Sequence, residues 1–102
     1  MADIHDPDDC TTMAEVRAGV DALDRELVTL LTRRFGYMRA AARIKPERHM
    51  VRDEARKAEV IANAGAHAER LGLPRQAIEQ LWETLVEASI AYEAERFDAL
   101  RG

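Results

Sequence analysis

The chain has 102 residues, of which 33% are charged and 47% hydrophobic, and its formal net charge at pH 7 is −4. This balance is too apolar for a disordered protein, and the length corresponds to one domain or to one protomer of an oligomer. No run of basic residues exceeds two, which argues against a nucleic-acid or membrane surface. The single cysteine, Cys10, favours the cytoplasm, and we expect neither a signal peptide nor a transmembrane segment.

The N-terminal residues predict a tail followed by a capped helix. Residues 1–11 are polar and contain Pro7, so we expect a mobile tail before a helical domain over residues 12–102. Thr12 and Glu15 fit a capping box, in which each side chain accepts a hydrogen bond from the backbone N–H of the other.

One long helix is predicted over residues 13–44. Pro46 limits it, because proline disfavours the helical conformation at the preceding residue, Lys45. Its apolar residues recur at three-and-four spacing, which is typical of one buried helix face. This apolar stripe consists of Val16, Val20, Leu23, Leu27, Leu30, Leu31, Met38 and Ala41.

Two shorter helices are predicted over about residues 51–71 and from Pro74 to about residue 100. Gly72 suits the C′ position that follows a helix, and Pro74 suits the first turn of the next helix. We see no strand pattern, so the predicted fold class is all-α, with one long and two medium helices. The residues predicted to face inward are Ile61, Ala64, Ala68, Leu71, Ile78, Leu81, Leu85, Val86, Ile90 and Phe97.

The first helix is too long for a small monomer. At 1.5 Å per residue it would span about 48 Å, whereas a compact domain of this length has a diameter of roughly 34 Å. One end of its apolar stripe would therefore stay uncovered. We expect a second copy to cover it through a two-fold interface, giving an intertwined homodimer.

Cations on the first helix indicate an anionic ligand. Arg34 lies on the apolar stripe, and Lys45, eleven residues later, returns to within about 20° of the same face. Buried cations are rarely tolerated unless they are paired or bound to a ligand. Arg17 lies beside the stripe about 26 Å along the axis from Arg34, so it could share a small ligand only with Arg34 of a partner chain. Arginines match carboxylates in bidentate geometry.

Further polar groups interrupt the apolar faces of the other two helices. Asp53, Arg56 and Lys57 open the second helix. Ser89 and Glu93 are four residues apart and therefore share one face of the third helix. These residues complete the candidate site.

Each of these residues also has a purely structural interpretation. Arg34 would pair with a glutamate across the dimer, and Lys45 would be a solvated residue at a helix end. Asp53 would cap the second helix or form a surface pair with Lys57. Glu93 would belong to the charged face of the third helix.

The sequence lacks the residue sets that other kinds of catalysis require. His5, His49 and His67 are scattered and do not form a metal set with Cys10. No glycine-rich phosphate loop occurs, and no serine or cysteine has an obvious base partner. We therefore expect catalysis by positioning and electrostatics on a dianion, without a metal, cofactor or covalent step.

Four runs together resemble a known family. They are VRAGVDALDRELVTLLTRR from Val16, ARIK from Ala42, VRDEAR from Val51 and EASIAYE from Glu87. In this order and spacing they resemble the all-helical class of chorismate mutases, over about residues 12–100. The runs DCTTMAEVR and TRRFGYMRAAARIK also resemble isochorismate-pyruvate lyase, a relative within that class.

The resemblance implies an interlocked dimer with two active sites, each completed by an arginine from the partner, which Arg17 matches. Arg34 matches the arginine that binds a substrate carboxylate. Lys45 matches the lysine that contacts a carboxylate and the ether oxygen, and Glu93 matches the residue that hydrogen-bonds this oxygen. The remaining matches are Asp53 near the ring hydroxyl, Arg56 lining the site and Ser89 near a carboxylate.

Two residues depart from the family pattern. Many bacterial members have glutamine where this chain has Glu93, which must be protonated to stabilise negative charge on the ether oxygen. We therefore expect an activity maximum on the acid side. Lys57 stands where a glutamate usually holds the ring hydroxyl, at which chorismate and isochorismate differ. The VRD run at residues 51–53, however, resembles the mutases and favours chorismate.

The leading hypothesis is a chorismate mutase of aromatic amino acid biosynthesis, converting chorismate to prephenate. The alternative enzyme is an isochorismate-pyruvate lyase that releases salicylate and pyruvate. The alternative from another class is a non-catalytic helical dimerisation module. Such a module would tolerate Arg34→Leu, whereas an enzyme would lose its activity.

Overall fold

The structure, a computed structural model, describes residues 4–102 and is helical throughout. In chain order its elements are a short 3-10 helix Pro7–Asp9, α1 Met13–Ile44, a second 3-10 helix Arg48–Met50, α2 Glu54–Arg70 and α3 Arg75–Arg101. No strand occurs in this part of the chain, so the predicted all-α class with one long and two medium helices is confirmed.

The chain divides into two compact units, the first ending at Arg34 and the second spanning Phe35–Gly102. Helix α1 continues from the first unit into the second. Residues 1–3 of the predicted tail lie outside the described residues. No helix between residues 4 and 102 combines the length and apolar character needed to cross a membrane.

The start of α1 has the predicted capping box. The backbone N–H of Glu15 donates to Thr12 Oγ1 at 3.2 Å, and Glu15 Oε1 accepts from the backbone N–H of Thr12 at 3.0 Å. The backbone N–H of Thr11 also donates to Glu15 Oε1, at 2.8 Å, and this bond lowers the pKa of the Glu15 carboxyl. Upstream, His5 Nε2 lies 3.2 Å from Glu15 Oε2. The mobility of residues 4–11 stays a prediction.

The apolar stripe of α1 is exposed in the single chain from Val16 to Leu30, whereas Leu31, Met38 and Ala41 are partly buried. Leu23, Leu27 and Leu30 keep 56%, 57% and 57% of their surface accessible. A contiguous exposed face of large aliphatic side chains is unusual for a monomer and marks an interaction surface. The predicted homodimer would cover this face, and it stays a prediction.

Helix α2 starts later than predicted. The sequence placed its start near Val51, but Val51 is buried after the second 3-10 helix and α2 begins at Glu54. Asp53 has an extended backbone, and its side chain accepts a hydrogen bond from the backbone N–H of Arg56 at 3.0 Å. Asp53 is therefore the N-cap, and this local bond sets the helix start.

A tight turn joins α2 to α3. Gly72 has a φ of +79°, its N–H bonds to Glu69 O at 3.1 Å, and the N–H of Leu73 bonds to Ala68 O at 2.9 Å. This is a Schellman motif with glycine at C′, as predicted. Pro74 is the N-cap of α3 and does not lie in its first turn, because its ψ of 111° is extended.

The second unit packs around a small core. Ala42 from α1, Val51 and Phe97 from α3 are buried together, with Ile90 and Ala94 packed against them. On α2, Gly65 and Ala68 are buried, and their small size lets this helix pack closely. Leu71 and Leu81 were predicted to face inward, but this was wrong for the single chain, where both are exposed.

Gly65 lies where α2 closely approaches the side chain of Glu79 on α3. A Cβ at this position would lie 2.5 Å from Glu79 Oε1 and 2.7 Å from Glu79 Cγ on α3. We expect Gly65→Ala to raise the free energy of unfolding only slightly in the natural chain, because the side chain of Glu79 must move aside. In a Glu79→Ala background the same change should raise it by up to about 1 kcal/mol, through helix propensity. Urea unfolding of the four variants measures both effects, and equal effects in the two backgrounds would contradict the close approach.

Candidate active site

Lys45 and Glu93, which are far apart in sequence, meet in the second unit. Lys45 Nζ lies 2.7 Å from Glu93 Oε2 and 3.5 Å from the backbone oxygen of Val51. Glu93 is only 4% exposed, whereas the Lys45 side chain is partly open to solvent. This Lys45–Glu93 pair is a charge-assisted hydrogen bond in a largely desolvated place, where its electrostatic strength is greatest.

The core explains why these two side chains meet. Lys45 follows Ala42 by three residues, just past the end of α1, and Glu93 precedes Phe97 by one turn on α3. Ala42, Phe97 and Val51 form the buried cluster, so packing these apolar residues carries both charged residues to the same place. Both residues were predicted from the sequence to belong to the site, and the structure brings them together.

Ser89 shares the buried face of Glu93. It is 3% exposed, and its hydroxyl donates to Leu85 O one turn earlier, at 2.7 Å. The four-residue spacing correctly placed Ser89 and Glu93 on one inward face of α3. The hydroxyl is held by its own helix in the chain without ligand, and its role toward a carboxylate stays a prediction.

Asp53 and Arg56 have local partners. Asp53 caps α2, and Arg56 forms an exposed ion pair with Glu59 one turn further along the same helix. Neither residue forms a hydrogen bond with Lys45 or Glu93. The capping role considered for Asp53 in the sequence analysis is confirmed, and its contact with a substrate stays a prediction.

Lys57 belongs to a link between α2 and α3. Its Nζ lies 2.8 Å from Glu83 Oε1 and 2.7 Å from Glu87 Oε2, and its side chain is 16% exposed. The hydrogen bonds to Glu83 and Glu87 raise the pKa of Lys57. The surface pair of Lys57 with Asp53 considered above is therefore wrong, because two carboxylates on α3 hold the ammonium group.

Arg52 completes this link with a contact that the sequence analysis missed. Its two terminal nitrogens contact the two oxygens of Glu87 at 3.0 and 2.9 Å, in bidentate geometry. Hydrogen bonds from Arg52 and then Lys57 lower the pKa of Glu87 to about 2. Arg52 lies between buried Val51 and the α2 N-cap Asp53, so Glu87 fastens the segment leading into α2 to α3. No local spacing could have indicated a pair 35 residues apart.

Arg17 and Arg34 lie on the part of α1 that belongs to the first unit. Arg17 is exposed and Arg34 is half-buried. Both are on one continuous helix, so about 26 Å separates them along its axis, and a small ligand cannot contact both within one chain. Between residues 4 and 102, no cluster of three histidine, cysteine, aspartate or glutamate residues could hold a metal ion.

Comparison with known proteins identifies the family. Residues 16–94 match the family model described as chorismate mutase type II. The chain belongs to this family. It is also 30% identical over 96 residues to the isochorismate pyruvate lyase of Pseudomonas aeruginosa, an alignment that covers 94% of this chain and 95% of that protein. The chain is thus an enzyme of the chorismate mutase and isochorismate pyruvate lyase type, and the resemblance found in the sequence is confirmed.

The low pKa of Glu87 predicts a specific pH dependence of stability. The folded-state pKa of about 2 lies below the ordinary value of 4.5, so the stabilisation is present above pH 4.5 and is lost as the pH falls towards 2. We expect Glu87→Gln to lower stability at pH 7 and to have progressively less effect below pH 4.5. Urea midpoints at fixed protein concentration measure this difference.

A matched control for Glu87→Gln is Glu95→Gln. Glu95 is an exposed residue of the same helix and forms no ion pair within residues 4–102. A Glu87→Gln effect that stays constant from pH 7 to pH 3 would contradict the assigned pKa.

Proposed function

We propose that this chain is a chorismate mutase, which converts chorismate to prephenate by an intramolecular 3,3-sigmatropic (Claisen) rearrangement. The observation that carries the proposal is the buried Lys45–Glu93 pair in a member of the chorismate mutase type II family. The VRD run at residues 51–53 supports the mutase within that family. The proposal includes a place in aromatic amino acid biosynthesis and in the cytoplasm.

The cations would hold the substrate in its reactive shape. Chorismate carries two carboxylates, and Arg34, Lys45 and Arg56, with Arg17 of the partner subunit, would bind them. Confining the flexible enol-pyruvyl side chain to a compact chair accounts for much of the rate enhancement, because its conformational entropy is lost on binding. Asp53 and Ser89 would complete the substrate contacts.

Lys45 and Glu93 would act on the bond that breaks. Cleavage of the C–O bond leaves negative charge on the ether oxygen, which Lys45 and a protonated Glu93 would stabilise by hydrogen bonding. In the free chain Glu93 is the ion-pair partner of Lys45. A substrate carboxylate that takes over Lys45 would leave Glu93 buried beside negative charge, and this favours its protonated form.

Isochorismate-pyruvate lyase activity is the second candidate. Two observations favour it: the Pseudomonas aeruginosa relative bears that name, and Lys57 is tied to Glu83 and Glu87 where mutases usually have a glutamate for the ring hydroxyl. The same cations would hold isochorismate. The products would be salicylate and pyruvate.

A homodimer is part of the proposal. The exposed apolar stripe of α1 requires a partner, and we assign it to a second copy of the chain. Arg17 supports this choice, because it is too far along α1 to reach the ligand of its own Arg34. Each site would therefore be complete only in the dimer.

Turnover assays test the reaction. We expect chorismate to give prephenate, with the highest rate at the acid end of a series from about pH 5 to 8, because Glu93 must be protonated. Chromatography identifies the product formed from each substrate. Salicylate formed from isochorismate faster than prephenate is formed from chorismate would support the lyase. A confirmed dimer that converts neither compound would instead indicate a binding module.

Glu93→Gln is the most direct test of whether the Glu93 carboxyl causes the pH dependence of the rate. Glutamine donates a hydrogen bond at every pH, so the variant should lose the rise in rate toward acid. Glu95→Gln on the exposed part of α3 should keep the natural profile. An unchanged profile in Glu93→Gln would exclude the proposed role of the carboxyl.

Introducing a charged residue on the apolar stripe tests whether each active site is shared between two subunits. We expect Leu27→Glu to give a monomer at micromolar concentration and to lower kcat/KM at least about 100-fold, since a substrate-binding arginine is lost. Sedimentation and turnover of the same samples measure both effects. Thr29→Glu, about 160° away around α1, is the control and should stay dimeric. A fully active monomer would rule out the contribution of Arg17.

A further inference from the structure

The C-terminal end of α1 lacks one of its hydrogen-bond donors. In a continuing α-helix the carbonyl of Ala42 would accept from the N–H of residue 46. Residue 46 is proline, which has no N–H. The helical ladder therefore ends with the N–H of Lys45, which donates to Ala41 O at 2.9 Å.

Water cannot replace the missing donor. Ala42 is 0% exposed and lies in the core with Val51 and Phe97. A buried backbone carbonyl without a partner is destabilising, so the structure must satisfy it from within the protein.

Arg101, near the end of α3, supplies this donor. Its Nη1 lies 3.0 Å from Ala42 O, and its Nη2 lies 2.8 Å from the backbone oxygen of Lys45. The guanidinium group sits 3.6 Å above the ring of Phe97, which orients it towards the end of α1. Its positive charge also faces the negative end of the α1 dipole.

We propose that Arg101 is a positioning residue for the Lys45–Glu93 pair. It replaces the hydrogen bond that Pro46 removes and clamps the backbone of Lys45, whose Nζ contacts Glu93 at 2.7 Å. The clamp joins the two parts of the chain that carry the pair. Arg101 lies on α3 with Glu93, and it bonds to the backbone oxygens of Ala42 and Lys45 at the end of α1. The kinetic consequence rests on the proposed function, whereas the placement of Lys45 does not.

The full-length chain with Arg101→Met tests the proposal. Methionine keeps the aliphatic stem but removes all donors. We expect kcat/KM to fall roughly 10- to 100-fold through changes in both kcat and KM, because Lys45 is proposed both to bind a substrate carboxylate and to stabilise charge at the ether oxygen. Arg48→Met is the matched control. It breaks an exposed ion pair with Asp98 that also joins α3 and should change kcat/KM less than about twofold.

The second substitution Pro46→Ala distinguishes a positioning role of Arg101 from a general effect of Arg101 on the stability of the fold. Alanine restores the N–H at residue 46, so Arg101→Met with Pro46→Ala should recover most of the lost kcat/KM. Recovery of thermal stability without recovery of kcat/KM would overturn the proposal. If Arg101→Met does not fold, Arg101→Lys provides the test, because it keeps the charge and can reach only one of the two carbonyls at a time.

An NMR measurement gives an answer that does not depend on turnover. The side-chain NH3+ group of Lys45 should give a slowly exchanging signal in the natural chain, because Glu93 and Val51 hold it. We expect Arg101→Met to broaden or remove this signal and Pro46→Ala to restore it. An unchanged signal in Arg101→Met would refute the clamp. Absence of turnover in the natural chain would refute only the proposed function.

Discussion

The Lys45–Glu93 pair is the interaction on which the second unit depends. A buried ion pair is seldom the most stable way to fill a core, because desolvation of two charges offsets their attraction. It does demand accurate geometry, since the buried charge of Glu93 would be strongly destabilising without its partner. The end of α1, the segment around Val51 and the C-terminal half of α3 must therefore converge within hydrogen-bond distance. The small core of Ala42, Val51 and Phe97 makes this convergence possible.

The chain satisfies its buried polar groups internally. Between residues 4 and 102, every buried side-chain nitrogen and oxygen has a hydrogen-bond partner. Lys45 is held by Glu93, and Ser89 by a carbonyl of its own helix. Under the proposed function, binding of a dianion is thus an exchange of partners. The substrate carboxylate would compete with Glu93 for Lys45.

The sequence predicted local features better than long-range ones. The ends of α1 and the Gly72 turn followed from neighbouring residues: the capping box at Thr12 and Glu15, the proline after Lys45 and the glycine at C′. Lys45 and Glu93 were selected because a charged residue on an apolar helix face is rarely tolerated unless it is paired or binds a ligand. The contacts of Arg52 and Arg101 were missed, since their partners are 35 to 59 residues away and no spacing rule connects them. Leu71 and Leu81 were assigned to the interior because an apolar stripe does not reveal whether its own chain or another copy covers it.

The two candidate reactions place the same demand on this pair. Both begin with a dicarboxylate enol-pyruvyl ether and both break its C–O bond, so both would use a cation and a hydrogen-bond donor at the ether oxygen. They differ in the position of the ring hydroxyl, and under the proposed function the start of α2 would recognise this hydroxyl. In this chain the ammonium group of Lys57 is committed to Glu83 and Glu87, while Arg52 fastens the preceding segment to Glu87. Under the proposed function, selectivity between the substrates would then depend on the backbone around Asp53, which this link holds in place.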